Sequence, residues 1–463
     1  MLAGAVLARD LTLGLVLVGT IGFGTLVLLD VPFAIAAWVP LAWIEYSHLT
    51  GRAPVVATVA LLLGWVASRR ARGRSLRVGV ADRTAALALG LLLVWLTLSV
   101  AWATDRSIAW GEAKSWYIAA AAFFVIANAM ATPRNIRILA LAFVAGALVS
   151  IVVGLSGHGG LTTTADALDL ATRQRFAGGQ GDPNYLAAGL VAAIALAAGL
   201  LPSIRDPIAR LGLVGSIVGL AAALAATQSR GGLIGALVAI VAAVVLARRQ
   251  RLQAAALGVF AVAAVAAFVL ASPDALHRVT SFNSGGDGRA DLWRVGWRMT
   301  EDHPVAGVGL AGFRDEAKNY VREPGSLTFV RLIVDDPAVA HNVYLQQLAE
   351  TGVVGLALLL AVIAASLAAA ARAARRFEAI GDHALATLAR AVIVASIGFL
   401  TASLFISNST DKRLWIILAL GPALLGAAHR APSGTDSQSQ GADEQVHVNQ
   451  HVRSVTHGSM TRR

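Results

Sequence analysis

Residues 334–352 read VDDPAVAHNVYLQQLAETG, and within them the chain turns from polar to apolar. His341 stands at the junction. Behind it lies a long polar interval, from about Ser272 to Tyr344, that contains RVTSFNSGGDGRADLWRVGWRMTEDHPVAGVGLAGF at 278–313. The interval gathers Asp, Glu, Arg and His in a sequence where only 14% of residues are charged. Both of its flanks read as membrane.

Outward from this interval, apolar runs fall at roughly 11–30, 31–45, 53–68, 84–103, 115–131, 135–153, 184–202, 209–226, 232–248, 253–271, 343–370, 385–407 and 413–428. A run of about 18–20 apolar residues crosses a hydrocarbon core of roughly 30 Å. With 57% hydrophobic residues over 463 positions, the chain is not a soluble enzyme, and a barrel would show short alternating segments instead. The expected fold is an all-α polytopic membrane protein.

The formal charge of +11 does not imply a nucleic-acid partner. Lys114, Lys318 and Lys412 are the only lysines, so arginine dominates, and many arginines sit in short loops between apolar runs. That is the positive-inside pattern. Placing the basic loops at 69–77, Arg134/Arg137, Arg205/Arg210, Arg248–Arg251 and Arg372/Arg375/Arg376 in the cytoplasm leaves 104–114, 154–183, 227–231, 272–342 and 408–412 on the other face. The run 31–45 carries Pro32 and Pro40, which interrupt helices. Residues 11–68 are therefore expected to form two spans around a broken segment, giving about twelve spans with both termini inside. The first run reads as a retained anchor rather than a removed signal.

The expected units are an N-terminal bundle at 1–271, a large, partly helical loop at 272–342, C-terminal membrane helices at 343–430 and a disordered cytoplasmic tail at 431–463. The tail has too little apolar content for a core; its His447, His451 and His457 are scattered. With no cysteine, the chain has no disulfide, thiol nucleophile or thiolate metal site.

Four stretches on the outer face carry chemistry. In RQRFAGGQGDPNY at 173–185, Asp182 or Asn184 is placed to cap the next helix, and Arg175 is a cation just above the membrane. In TQSRGG at 227–232, Arg230 stands beside two glycines at a helix N-terminus, an end that favours anions. In GRADLWRVGWRM at 288–299, helical spacing puts Trp293 and Trp297 on one face and Arg294 and Arg298 on another. That pattern suits a helix lying at the headgroup level, with Arg289 in its first turn and Asp291 as a candidate partner. The Gly307-x-Gly309-x-x-Gly312 pattern has no strand–helix unit around it and reads as a flexible turn, not a dinucleotide site. In HNVY at 341–344, the imidazole of His341 can be neutral near pH 7 and accept a proton.

Taken together, these stretches resemble the O-antigen ligase and polymerase superfamily of bacterial surface-polysaccharide enzymes. The resemblance rests on Gly181-Asp182-Pro183-Asn184, Ser229-Arg230-Gly231, Gly288-Arg289 with Leu292-Trp293, the run from His303-Pro304 to Phe313, and His341-Asn342 with Tyr344. It is best over about 170 to 360. It implies a GT-C-like glycosyltransferase in the bacterial inner membrane, acting on the periplasmic face without metal, nucleotide or other cofactor. The implied partners are a glycan on undecaprenyl diphosphate as donor, lipid A–core as acceptor, and membrane lipids. The family's essential histidine maps onto His341 and its essential arginines onto Arg230 and Arg289. Arg175 is a further candidate, and Asp182, Asn184, Trp293 and Tyr344 are expected to line the substrate.

The chemistry of the residues agrees. Cleavage of a glycosyl–diphosphate bond builds negative charge that arginines neutralise through bidentate hydrogen bonds. The acceptor hydroxyl needs a base, and direct displacement by it inverts the anomeric carbon. A polymerase or a protein O-oligosaccharyltransferase of the same superfamily would use the same donor chemistry with another acceptor. A transporter would place charges at the bilayer midplane in pseudo-symmetric halves, whereas here they gather in one asymmetric loop.

Overall fold

In a computed structural model, the described residues are 11–44, 53–71, 83–130, 132–156, 161–164, 173–247, 258, 288–321, 327–328, 330, 331–335 and 337–431. The expected run at 253–271 (258 apart), the basic loop at 248–251, most of the loop at 69–77 and the tail beyond 431 lie outside them.

The described chain is overwhelmingly helical. The N-terminal part contains α1 (Leu11–Leu29), α2 (Val31–Trp38), α3 (Ala53–Ala71), α4 (Arg83–Ser99), α5 (Arg106–Ala129) and α6 (Pro133–Leu155). After a short hairpin follow α7 (Pro183–Leu200), α8 (Pro207–Ala226) and α9 (Arg230–Leu246). The polar interval contributes α10 (Arg289–Asp302), α11 (Phe313–Glu316) and α12 (Arg331–Val334). The chain then returns to the bundle as α13 (Val343–Ala379), α14 (His383–Ala402) and α15 (Lys412–Arg430).

Six of the described helical stretches are long and apolar enough to cross a membrane: 83–102, 133–155, 183–203, 207–226, 343–379 and 383–405. Two shorter apolar ones, Val31–Trp43 and Arg230–Leu246, stand beside them. This is a multi-pass membrane protein. Its outward faces agree, since Leu87, Leu91, Val94 and Leu98 of α4 and Leu237, Val241 and Val245 of α9 are exposed, as a lipid-facing stripe requires. The broken segment expected at 31–45 is present: Asp30 caps α2 through Phe33 N, and the helix tightens to 3-10 geometry at Val39–Trp43, where Pro40 falls.

The all-α expectation holds, with one short hairpin in which Leu161–Thr164 pairs antiparallel with Arg173–Phe176, as β1 and β2. Within 104–114, Asp105 caps α5 and the residues after it form the first turns of that helix.

Helix starts share one device. Asp182, Asp206, Asp382, Asp411, Asn342, Ser229 and Thr132 each accept from a backbone N–H of the turn that follows. These donors have no intrahelical partner. At the centre, α7 and α15 are buried on nearly every face, and α14 packs along α7 and α9. The polar interval builds its own small core from Leu292, Val295, Met299, Phe313, Tyr320 and Ile333.

That lobe is clamped to the bundle at a break in α13. Gly352 has φ 67, ψ −173 inside the helix. A Cβ there would lie 2.0 Å from the carbonyl oxygen of Val305, and one at Gly307 would lie 2.3 Å from the carbonyl carbon of Glu350. Val308 N donates to Ala349 O (3.0 Å), Gly309 N to Glu350 O (2.9 Å) and Val353 N to Pro304 O (2.8 Å). The buried Glu350 carboxylate accepts from Ala311 N at 3.1 Å and from Gln346 Nε2 at 3.0 Å. Trp95 of α4 and Trp102, in the 3-10 turn that follows it, donate to Thr351 O and Ala306 O. The glycine pattern at 307–312 is therefore a docked turn, not a flexible one. Its glycines let two backbones meet.

Candidate functional site

The site forms where the lobe meets the starts of α7, α9 and α13. Asn342 caps α13, its side-chain oxygen accepting from Tyr344 N and Leu345 N. This holds His341 just outside the helix with φ 49, a left-handed backbone that a non-glycine residue rarely adopts. Trp293 donates from Nε1 to Ala340 O at 3.0 Å, fixing the residue before the histidine.

His341 lies within electrostatic range of Arg289, Asp182 and Arg314. Burial, and then the Arg289 guanidinium, push its imidazole down from 6.5 to about 4; Asp182 opposes this and Arg314 adds to it. The ring is neutral at pH 7 and can accept a proton. Arg289 begins α10 directly after Gly288, whose φ of 81 makes the turn. Asp182 uses one oxygen to cap α7, accepting from Asn184 N (2.6 Å) and Tyr185 N (3.1 Å).

A second network lies beside it. Arg175 is 1% exposed; its Nε donates to Thr227 O at 3.0 Å and its Nη2 to Asn184 Oδ1 at 3.0 Å. Ser229 Oγ donates to the same Asn184 oxygen at 2.8 Å and caps α9 by accepting from Gly232 N. Arg175 thus ties β2, the start of α7 and the turn that carries Arg230. The glycines after Arg230 serve close packing: a Cβ at Gly231 would lie 2.9 Å from the Phe405 side chain, and one at Gly232 would lie 2.5 Å from Ala187.

The structure brings His341, Arg289 and Asp182 into one electrostatic neighbourhood. It brings Arg175 and Asn184 together around the turn of Arg230. Tyr344 is adjacent in sequence, but its hydroxyl donates to Leu400 O at 2.9 Å, bracing α13 against α14. Trp293 is half-buried, with its ring 6.5 Å from that of Phe405. Trp297, four residues on, is 56% exposed. Asp291 is buried, accepting from Arg294 at 3.1 Å and from Thr328 N at 2.7 Å.

Arg314 was not among the expected residues. Nothing in its local sequence marks it, because it acts electrostatically on His341 from 27 positions away. The outer-face stretch 408–412 carries no expected site residue, but the segment 406–413 around it does contribute contacts. It borders the start of α7, since the Tyr185 hydroxyl donates to Ser407 O, and it carries the buried Asp411–Arg413 pair.

Among the described residues, no group of three or more His, Cys, Asp or Glu side chains could hold a metal ion. The arrangement offers instead a neutral imidazole among guanidiniums, which suits proton acceptance next to an anion.

No curated protein matches the chain. Residues 214–360 match the model of a protein family described as O-antigen ligase. The matched stretch contains Arg230, Arg289, Trp293, His341 and Tyr344, while Arg175, Asp182 and Asn184 lie before it. The resemblance read from the sequence is supported there, by the match of residues 214–360 to the O-antigen ligase family.

Proposed function

We propose that the protein is an O-antigen ligase of the bacterial inner membrane. It transfers a glycan from undecaprenyl diphosphate to a sugar hydroxyl of lipid A–core on the periplasmic face. The observation that carries this reading is the neutral His341 imidazole, held beside Arg289 at the start of a long apolar helix.

In this reading the acceptor hydroxyl gives its proton to His341 as its oxygen attacks the anomeric carbon. The bond from that carbon to the diphosphate oxygen breaks, the configuration inverts, and undecaprenyl diphosphate leaves. Arg289 and Arg230 take up the charge that grows on the leaving phosphates. Arg175 and Asn184 hold the turn of Arg230 in place, and Trp293 holds the backbone before His341. Donor binding also tunes the base. The diphosphate offsets the Arg289 charge that depresses the imidazole, so His341 becomes a stronger base once the donor is seated.

The test is transfer in vitro, with undecaprenyl-diphosphate glycan, lipid A–core, chelator and no nucleotide. The reading expects glycosylated lipid A–core with inverted anomeric configuration. Elongation of the donor with no transfer to lipid A–core would make the protein a polymerase instead. A product of retained configuration would rule out the direct displacement.

A further inference from the structure

At the end of α13 far from His341, Arg372, Arg375 and Arg376 meet Leu425 and His429 of α15 around a cleft of about 350 Å³. That is near the lower end for small-ligand sites, so the cleft suits a headgroup rather than a whole lipid. Its lining has three guanidiniums, one imidazole and one apolar side chain, with no carboxylate. Arg372, Arg376 and Arg430 all act electrostatically on His429, so the positive charge converges on one point. The C-terminal ends of α13 and α15 supply together only about one unit of negative charge, against three guanidiniums in the lining.

The position is as telling as the charge. From Gly352 to Arg376 the helix rises about 36 Å at about 1.5 Å per residue. A hydrocarbon core is roughly 30 Å thick, so the cleft opens at the membrane face opposite His341. Basic side chains at such a height meet the phosphates of the lipid leaflet.

We propose that this cleft binds the phosphodiester of an anionic lipid headgroup, with the arginines on its oxygens and Leu425 against the glycerol carbons. Arginine suits this ligand because its planar fork pairs with two phosphate oxygens at once.

The experiment is native mass spectrometry of the purified full-length protein with phosphatidylglycerol, phosphatidylethanolamine or inorganic phosphate. Phosphatidylglycerol should be retained in preference to phosphatidylethanolamine, and excess phosphate should not displace it. Arg375→Gln and Arg376→Gln should each weaken retention about fivefold, while His341→Ala should leave it unchanged. Arg375→Lys, which keeps the charge and the membrane orientation, should weaken it less than Arg375→Gln. Equal retention by the parent and the Arg375→Gln/Arg376→Gln double variant would overturn the proposal. So would equal retention of the two lipids, or full displacement by phosphate, which would make the ligand a free anion.

Discussion

The two ends of α13 both gather arginines near a histidine, yet they are built differently. At the His341 end, polar side chains are held by specific bonds: Arg175 to Thr227 O and Asn184, Trp293 to Ala340 O, and Glu350 to Ala311 N. At the other end, Arg375, Arg376 and His429 are exposed around an open cleft. Counting cations would not separate the two. The difference is preorganisation: a site that must stabilise charge as it forms needs its groups fixed beforehand, whereas exposed guanidiniums can settle their forks on a ligand that arrives already charged.

The sharpest way to break this comparison is to remove the central groups of the first end. His341→Ala should lower kcat for transfer by about 10²–10⁴-fold, the range for a lost general base. Arg289→Ala should cost about 2.7–4 kcal/mol of transition-state stabilisation, by analogy with a lost oxyanion donor. If the two act as a unit, the double variant will be far less than additive. Wild-type kcat in either single variant would mean that this end is no more functional than the other.

A smaller effect tests whether the clamp at Gly352 positions the lobe. Gly352→Ala forces a residue with a Cβ into a positive-φ, extended-ψ conformation that is essentially reserved for glycine, at roughly 1–3 kcal/mol, and brings that Cβ against Val305 O. Amide exchange at Val308, Gly309 and Ala311 should accelerate, and kcat should fall with it because the lobe that carries Arg289 loses its fixed position relative to His341. Accelerated exchange with unchanged kcat would show that the clamp serves stability alone.

Arg175→Lys keeps the charge but loses the fork that reaches Thr227 O and Asn184 together. Hydrogen bonds to charged groups contribute about 1.5–3 kcal/mol each, so thermal stability should drop and the donor KM should rise through the displaced turn of Arg230. Trp293→Phe removes one neutral bond, at about 0.5–1.5 kcal/mol, and should lower kcat/KM only several-fold.

Much of this was legible in the sequence, for identifiable reasons. Apolar run length and arginine placement announce a multi-pass bundle, because the bilayer fixes helix length and leaflet charge fixes loop bias. Asp182 as a cap and Gly288 as the turn before α10 are local choices that a short window can hold. What escaped reading depends on contacts distant in sequence. Arg175 is separated by 52 positions from the carbonyl it binds, and Trp293 by 47. Glu350 meets Ala311 across 39 positions, so the turn at 304–313 looked flexible when viewed alone. In α10, alternating Trp and Arg drew attention to a surface face. The stripe of Leu292, Val295 and Met299, spaced for the opposite face, is what builds the lobe's core.

The measurement that tests the central claim most directly is the pH dependence of transfer, with kcat/KM and kcat followed separately. An imidazole depressed to about 4 stays deprotonated well below pH 6.5. In the free enzyme the acid-side loss of kcat/KM should therefore come only as pH falls toward 4. The limb in kcat, which reports the donor-bound enzyme, should lie higher, because the diphosphate offsets Arg289. Both limbs should vanish from the residual activity of His341→Ala. An acid limb near 6.5 in kcat/KM, or one that persists in His341→Ala, would contradict the assignment of His341 as the base.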